Sequence, residues 1–99
     1  MANVCNNTLK VYSDNEKNLD YVCKFFDNPN INSIREWIDN NEIEFYFDSK
    51  WIFPEELMNK LYEGLPDKSD IDMTCLSVEQ TNLYCEFHTC DEEGWHSIR

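Results

Sequence analysis

The stretch EIEFYFDSKW, residues 42–51, decides the fold class of this chain. Its apolar residues occupy every second position: Ile43, Phe45 and Phe47. The positions between them carry polar or amphipathic residues: Glu44, Tyr46 and Asp48. Side chains along a β-strand point to opposite faces in turn, so this pattern predicts a strand with one face on a core and one in water. Trp51 should stand where the strand joins the next element.

A strand and a helix are predicted before this stretch. Residues 5–12 alternate in the same way and should form the first strand. Ser13 and Glu16 have the spacing of a capping box, which predicts the start of a helix. That helix should end near Asp27, because Asn28 precedes Pro29 and is disfavoured in a helix. Its apolar residues recur at helical spacing: Leu19, Val22, Cys23 and Phe26.

A second main helix should follow the central strand. It begins at Pro54 and ends at Gly64 and Pro66. Its buried stripe is formed by spaced apolar residues: Leu57, Met58, Leu61, Tyr62 and Leu65. Between the first helix and the central strand, residues 31–38 also show helical spacing and predict a short helix, with a turn at Asn40 and Asn41.

Two further strands are predicted over residues 70–78 and 83–90, joined by a turn at residues 80–82. The tail, residues 91–99, should fold back through Trp95 and Ile98. The chain of 99 residues is large enough for one domain, residues 1–99, and too small for two. We predict an α+β fold with a mostly antiparallel sheet of about four strands and two main helices on one face. The core should contain the following residues: Phe26, Phe45, Phe47, Leu57 and Leu61.

The charge balance limits the kinds of partner. Eight Lys and Arg against 20 Asp and Glu give a net charge of −12. Direct binding to nucleic acid or to an anionic membrane requires clustered basic residues, so both are excluded. The charge favours a basic protein as the partner.

The five cysteines and the N-terminal segment indicate a cytoplasmic protein. No basic segment followed by a long apolar run opens the chain, and no apolar stretch approaches the ~20 residues of a membrane span. The thiols are therefore expected to be reduced.

Two stretches resemble the YubB-type ferredoxin-like domain, a family of small phage, plasmid and bacterial proteins. The first is MANVCNNTL, residues 1–9, with Val4 where the family usually has Trp. The second is residues 44–65, a strand followed by a helix with the family's spaced residues: Trp51, Pro54, Leu57 and Leu61. Phe53 stands where the family often has a second proline. The resemblance implies a ferredoxin-like fold and a mobile-element origin, but no activity.

Candidate metal ligands occur near the C-terminus: Cys85, His88, Cys90 and His96. Zinc requires about four ligands that converge tetrahedrally. Alternation along a strand would put Cys85 on the face opposite His88 and Cys90, so only those two and His96 could meet. We expect no metal and no cofactor. His88 and Cys90 could also form a nucleophilic pair, but the sequence supplies no oriented base or oxyanion hole, and we expect no enzyme.

Acidic residues at alternating strand positions are the candidate partner-binding set: Glu42, Glu44, Asp48, Asp70, Asp72 and Glu86. The first three should share one face of their strand, and Asp70 and Asp72 one face of another. Tyr46 and Tyr84 are expected between them. Carboxylates two strand positions apart lie roughly 6.5–7 Å from each other, close to the spacing of phosphates along one strand of nucleic acid.

The charge, the small size and the resemblance together suggest an inhibitor of a basic, nucleic-acid-binding host defence protein, such as a CRISPR effector nuclease. An anti-CRISPR protein of this kind could act as a nucleic-acid mimic or block a conformational change. One alternative is a zinc- or small-ligand-binding accessory domain. Another is an accessory interaction domain without inhibitory activity.

Overall fold

A computed structural model describes residues 4–50, 52–81 and 83–98 of the chain. The predicted position of Trp51 therefore lies outside the described residues. In chain order the elements are β1 (Val4–Tyr12), α1 (Glu16–Phe26), β2 (Ser33–Asp39), β3 (Glu42–Lys50), α2 (Glu55–Glu63), β4 (Asp72–Glu79), β5 (Tyr84–Asp91) and β6 (Gly94–Ile98).

The strands form one antiparallel sheet in the order β2-β3-β1-β4-β5-β6. The α+β class, the antiparallel sheet and the two helices are confirmed. The predicted number of about four strands is wrong, because the described residues form six. The two additional strands are β2 and β6.

The short helix predicted over residues 31–38 is instead the edge strand β2. The spacing of Ile34, Trp37 and Ile38 fits one helix face, but their side chains are exposed and no core selects that face. Asn40 and Asn41 form a two-residue turn, which brings β2 back onto β3 as a hairpin. As a strand, this segment hydrogen-bonds one edge of its backbone to β3.

The tail folds back as predicted and completes the sheet as β6. Trp95 lies on the helix-covered face, where its indole Nε1 donates to the Met58 carbonyl at 2.8 Å and anchors β6 to α2. Ile98 pairs with Phe87 and lies on the opposite face, where it stays half exposed.

The core lies between the two helices and one face of the sheet. Phe26 of α1 stacks on Phe45 with ring centroids 4.6 Å apart and contacts Phe47 at 5.1 Å. These three residues and Leu61 are buried as predicted, while Leu57 is only partly buried against the core. The other face of the sheet is covered by neither helix, and we call it the open face.

The start of α1 differs from the predicted capping box. Asn15 is the N-cap, and its side chain accepts from the Lys17 amide at 3.0 Å. Ser13 lies before the cap and is buried, and its hydroxyl donates to the Asp70 carbonyl at 2.6 Å. Asn18, also buried, donates to the Asp67 and Asp70 carbonyls at 2.8 Å each. These bonds tie the start of α1 to the loop before β4.

Replacing Phe45 with Ala should lower the free energy of unfolding by about 3–5 kcal/mol, because it leaves a cavity beneath Phe26. Urea denaturation measures this loss. Tyr46→Ala is the matched control on the same strand, because Tyr46 points to the open face, and it should cost much less. A larger loss for Tyr46→Ala than for Phe45→Ala would show that the faces of β3 are reversed.

Replacing Asn18 with Ala should lower the free energy of unfolding by about 3 kcal/mol, since each buried polar group left without its partner costs about 1–3 kcal/mol. Lys17→Ala, an exposed change on the same helix, should alter it by less than about 0.5 kcal/mol. Thermal or urea unfolding of the two variants measures both changes in the free energy of unfolding. Matching values would mean that the bonds to the loop before β4 contribute nothing to stability.

Candidate protein-interaction surface

Four of the six predicted partner-binding acids lie on the open face of the sheet. They alternate with the buried residues of β3 and β4 and point away from the helices: Glu42, Glu44, Asp48 and Asp72. Two acids of neighbouring strands join them, Glu36 opposite Glu44 on β2 and Asp91 at the end of β5. Glu36 was missed because β2 was predicted as a helix.

Asp70 does not belong to this face. β4 begins at Asp72, and Asp70 lies in the preceding loop, where its side chain accepts from the Asp14 amide at 3.3 Å. The prediction that Asp70 and Asp72 share a strand face is therefore wrong. Asp70 has a structural role, because its carbonyl also accepts from Ser13 and Asn18.

Glu86 lies on the helix-covered face, two positions from His88 along β5. Its carboxylate is 3.2 Å from His88 Nε2 and accepts from the Ser97 hydroxyl at 3.2 Å. Tyr84 shares this face, and its hydroxyl accepts from the Phe53 amide at 3.2 Å. The predicted places of Glu86 and Tyr84 among the exposed acids are wrong, because the register of β5 puts even-numbered residues inward.

The acids on β3 and β4 are not direct neighbours, because β1 lies between these strands. Lys10 of β1 reaches Glu44 at 3.7 Å, and the Tyr46 hydroxyl donates to the same carboxylate. That hydrogen bond raises the pKa of Tyr46 to about 12. Glu44 is thus partly neutralised within the chain, and Asp48 and Asp72 are the better candidates for contact with a partner.

The four candidate metal ligands are divided between the two faces. Cys85 is exposed and lies on the open face with His96, which pairs with Thr89. His88 and Cys90 are buried on the other face. The expectation that His96 could meet His88 and Cys90 is wrong, and these four residues cannot converge on one ion.

A different group of potential ligands lies at the corner of β5 and β6. Within the described part of the chain, Asp91, Glu93 and His96 bring one ligand atom each within 4.8 Å of one another. All three are exposed, and the His96 Nε2 lies 3.4 Å from an Asp91 oxygen. Such solvated groups are common on acidic surfaces and do not define a metal site.

His88 and Cys90 are packed as core residues rather than as a reactive pair. The His88 ring stacks on Phe53 with centroids 3.6 Å apart. Burial raises the pKa of Cys90 to about 12, so its sulfur is a neutral thiol near pH 7. A nucleophilic cysteine requires a lowered pKa, and this arrangement opposes it.

The open face also carries large apolar side chains that the sequence interpretation did not assign. They occupy several strands and are half exposed: Val4, Ile34, Leu76, Phe87 and Ile98. The alternation of Leu76 with Cys75 and Ser77 in the sequence was a signal that Leu76 lies on the other face, but which residues point inward depends on how the strands pair.

The structure contains, over the residues that it describes, no helix with the length and apolar character that a membrane span requires.

We expect no bound zinc, so treatment with a chelator such as EDTA should leave the melting temperature unchanged. A structural zinc would contribute directly to the free energy of folding, and its removal would lower the melting temperature. Differential scanning calorimetry with and without chelator is the measurement. A drop of several degrees would restore a metal site, and Cys85→Ser and Cys90→Ser would then show which face holds it.

The chain was compared with protein-family models, with curated proteins and with solved structures, and no match was found in any of the three comparisons.

Proposed function

We propose that the chain is a non-catalytic binding protein that holds a basic protein on the open face of its sheet. The observation that carries this proposal is the location of Glu42, Glu44, Asp48 and Asp72 on one face that no described helix covers. Glu36 and Asp91 extend the negative charge to β2 and β5. Carboxylates held by a rigid sheet can meet Lys and Arg without reordering the backbone, which favours affinity.

The partner class that suits this face is a host protein whose own site binds nucleic acid. Such sites are positively charged, and an acidic protein gains both faster encounter and complementarity from them. We propose specifically that the chain inhibits a defence nuclease, such as a CRISPR effector, in the host cytoplasm. The spacing of Glu42 and Glu44 on one strand supports nucleic-acid mimicry, since it approaches the phosphate spacing.

The ferredoxin-like assignment is part of the same proposal. The elements from β1 to β4 run strand, helix, strand, strand, helix, strand, and β1 and β3 take the central places between β2 and β4. Each helix connects two strands with one strand between them. The hairpin of β5 and β6 then extends the sheet beyond β4. This connectivity supports the ferredoxin-like fold that the resemblance to the YubB-type family implies.

Reversing Asp48 and Asp72 to Lys should slow association with a basic nuclease by about tenfold or more, because the open face would lose its attraction for cations. Surface plasmon resonance against purified CRISPR effector nucleases measures the rate. Binding should also weaken steeply as salt rises, since screening shortens to roughly 3 Å at 1 M. Nucleic acid should compete for the same site.

The matched control carries the same change of charge on the helices, as Asp20→Lys and Glu63→Lys. Both residues are exposed on α1 and α2, on the other side of the sheet. If the control weakens binding as much as the open-face variant, only net charge matters and the face is not the site. If no nucleic-acid-binding protein is bound, the inhibitor proposal is wrong and an accessory role remains.

A further inference from the structure

A single row of cross-strand neighbours runs over the whole open face. Each member is directly opposite the next in the strand register, from β2 at one edge to β6 at the other. In spatial order the row is Ile34, Tyr46, Thr8, Leu76, Phe87 and Ile98. We call these six residues the central row.

The central row holds most of the exposed apolar side chains of the open face, and Val4 and Tyr12 lie outside it at the two ends of β1. Apart from Thr8, which is half-buried, its members are 37–71% exposed. Both described helices pack on the opposite face of the sheet. Side chains directly opposite one another on adjacent strands are close neighbours, so the row crosses all six strands without a gap, with Thr8 as its small polar member. Strips of this kind on a soluble domain mark interaction sites.

Acidic residues border the central row, mainly on one side. Five of them lie within the next two positions along the strands: Glu36, Glu42, Glu44, Asp72 and Asp91. Against these, Lys10 and His96 are the basic residues on the same side of the row in the described strands. On the other side of the row, Asp48 is the acid next to Tyr46 and Lys50 lies two positions further along β3. We call the five acids the acidic margin.

We propose that the central row is the docking surface for an amphipathic helix of the partner, with an apolar stripe on the row and Lys or Arg along one flank. This inference rests on the proposed function and names the element that the open face recognises. The five strand spacings of the row span about 24 Å. A helix of about 16 residues has that length. A helix presents a stripe with charged residues beside it, as the row and margin require.

A second copy of this chain fits the surface poorly. Each copy carries a net charge of −12, and stacking two open faces would bring two acidic margins into the same interface. Like charges brought together in one interface repel each other and oppose binding. The charge of the margin therefore selects a basic occupant.

The test uses synthetic helical peptides of about 16 residues. The probe has a leucine stripe with lysines along one flank, and a scrambled peptide of the same composition is its control. A third peptide carries Glu in place of each Lys. Fluorescence anisotropy should show binding of the striped lysine peptide at least about tenfold tighter than that of either control.

Protein variants test the row without changing any charge. Leu76→Asn with Phe87→Asn should weaken binding of the striped lysine peptide by about tenfold or more. Ile34→Asn with Ile98→Asn, at the more exposed ends of the row, should weaken binding as well. Because these two side chains are more exposed, this second variant separates a loss of binding from a folding defect. Leu83→Asn is the control, because Leu83 is 89% exposed in the turn before β5 and has a φ of 56° that Asn accepts readily.

Each other result overturns a defined part of the inference. If the scrambled peptide binds as well as the striped one and the row variants bind normally, the row has no role, although recognition of basic groups stands. If neither lysine peptide binds, both the role of the central row and the proposed recognition of basic groups are wrong. If the Glu peptide binds as tightly as the striped lysine peptide, the acidic margin has no role in recognition. A dimer of the free protein that Leu76→Asn dissociates would make the row a self-association surface.

Discussion

The central position of β1 is the constraint on which the other elements depend. This strand is hydrogen-bonded on both sides, to β3 and to β4, over nearly its whole length. Leu9 and Val11 are fully buried beneath the helices, while Thr8 and Lys10 point to the open face. A slip of one residue would exchange these sets, so burial of Leu9 and Val11 fixes the register of both neighbours.

The same strand sets the electrostatics of the open face. Because β1 separates β3 from β4, Lys10 stands between the acids of the two strands and contacts Glu44. A second ion pair, between Arg35 and Asp27, lies near the end of α1. Exposed pairs of this kind contribute little stability. Asp48 and Asp72 are exposed on the open face, where a basic partner can neutralise them.

The covered face uses its polar residues to hold the strands and helices together. Buried Asn7 of β1 donates to the Ser49 hydroxyl at 2.9 Å and accepts from the Ser77 hydroxyl at 2.7 Å, which links three strands. His88 lies flat against Phe53, whose ring meets Trp95 edge-on. Burial raises the pKa of Cys75 to about 12, so this thiol also behaves as an apolar group. Two of the residues that suggested chemistry, His88 and Cys90, are thus occupied in packing.

Local patterns in the sequence determined the two helices, the alternation of β3 and the buried aromatic residues. They did so because helix caps, proline and period-two alternation act over a few residues. Three acids of the open face, Glu42, Glu44 and Asp48, followed from that alternation alone. The tertiary structure decided what depends on long-range pairing. It turned residues 33–39 into an edge strand through the hairpin with β3, and it placed Glu86 inward through the register of β5 on β4. The strip from Ile34 to Ile98 exists only after six strands are ordered, since its members come from six separate segments of the chain.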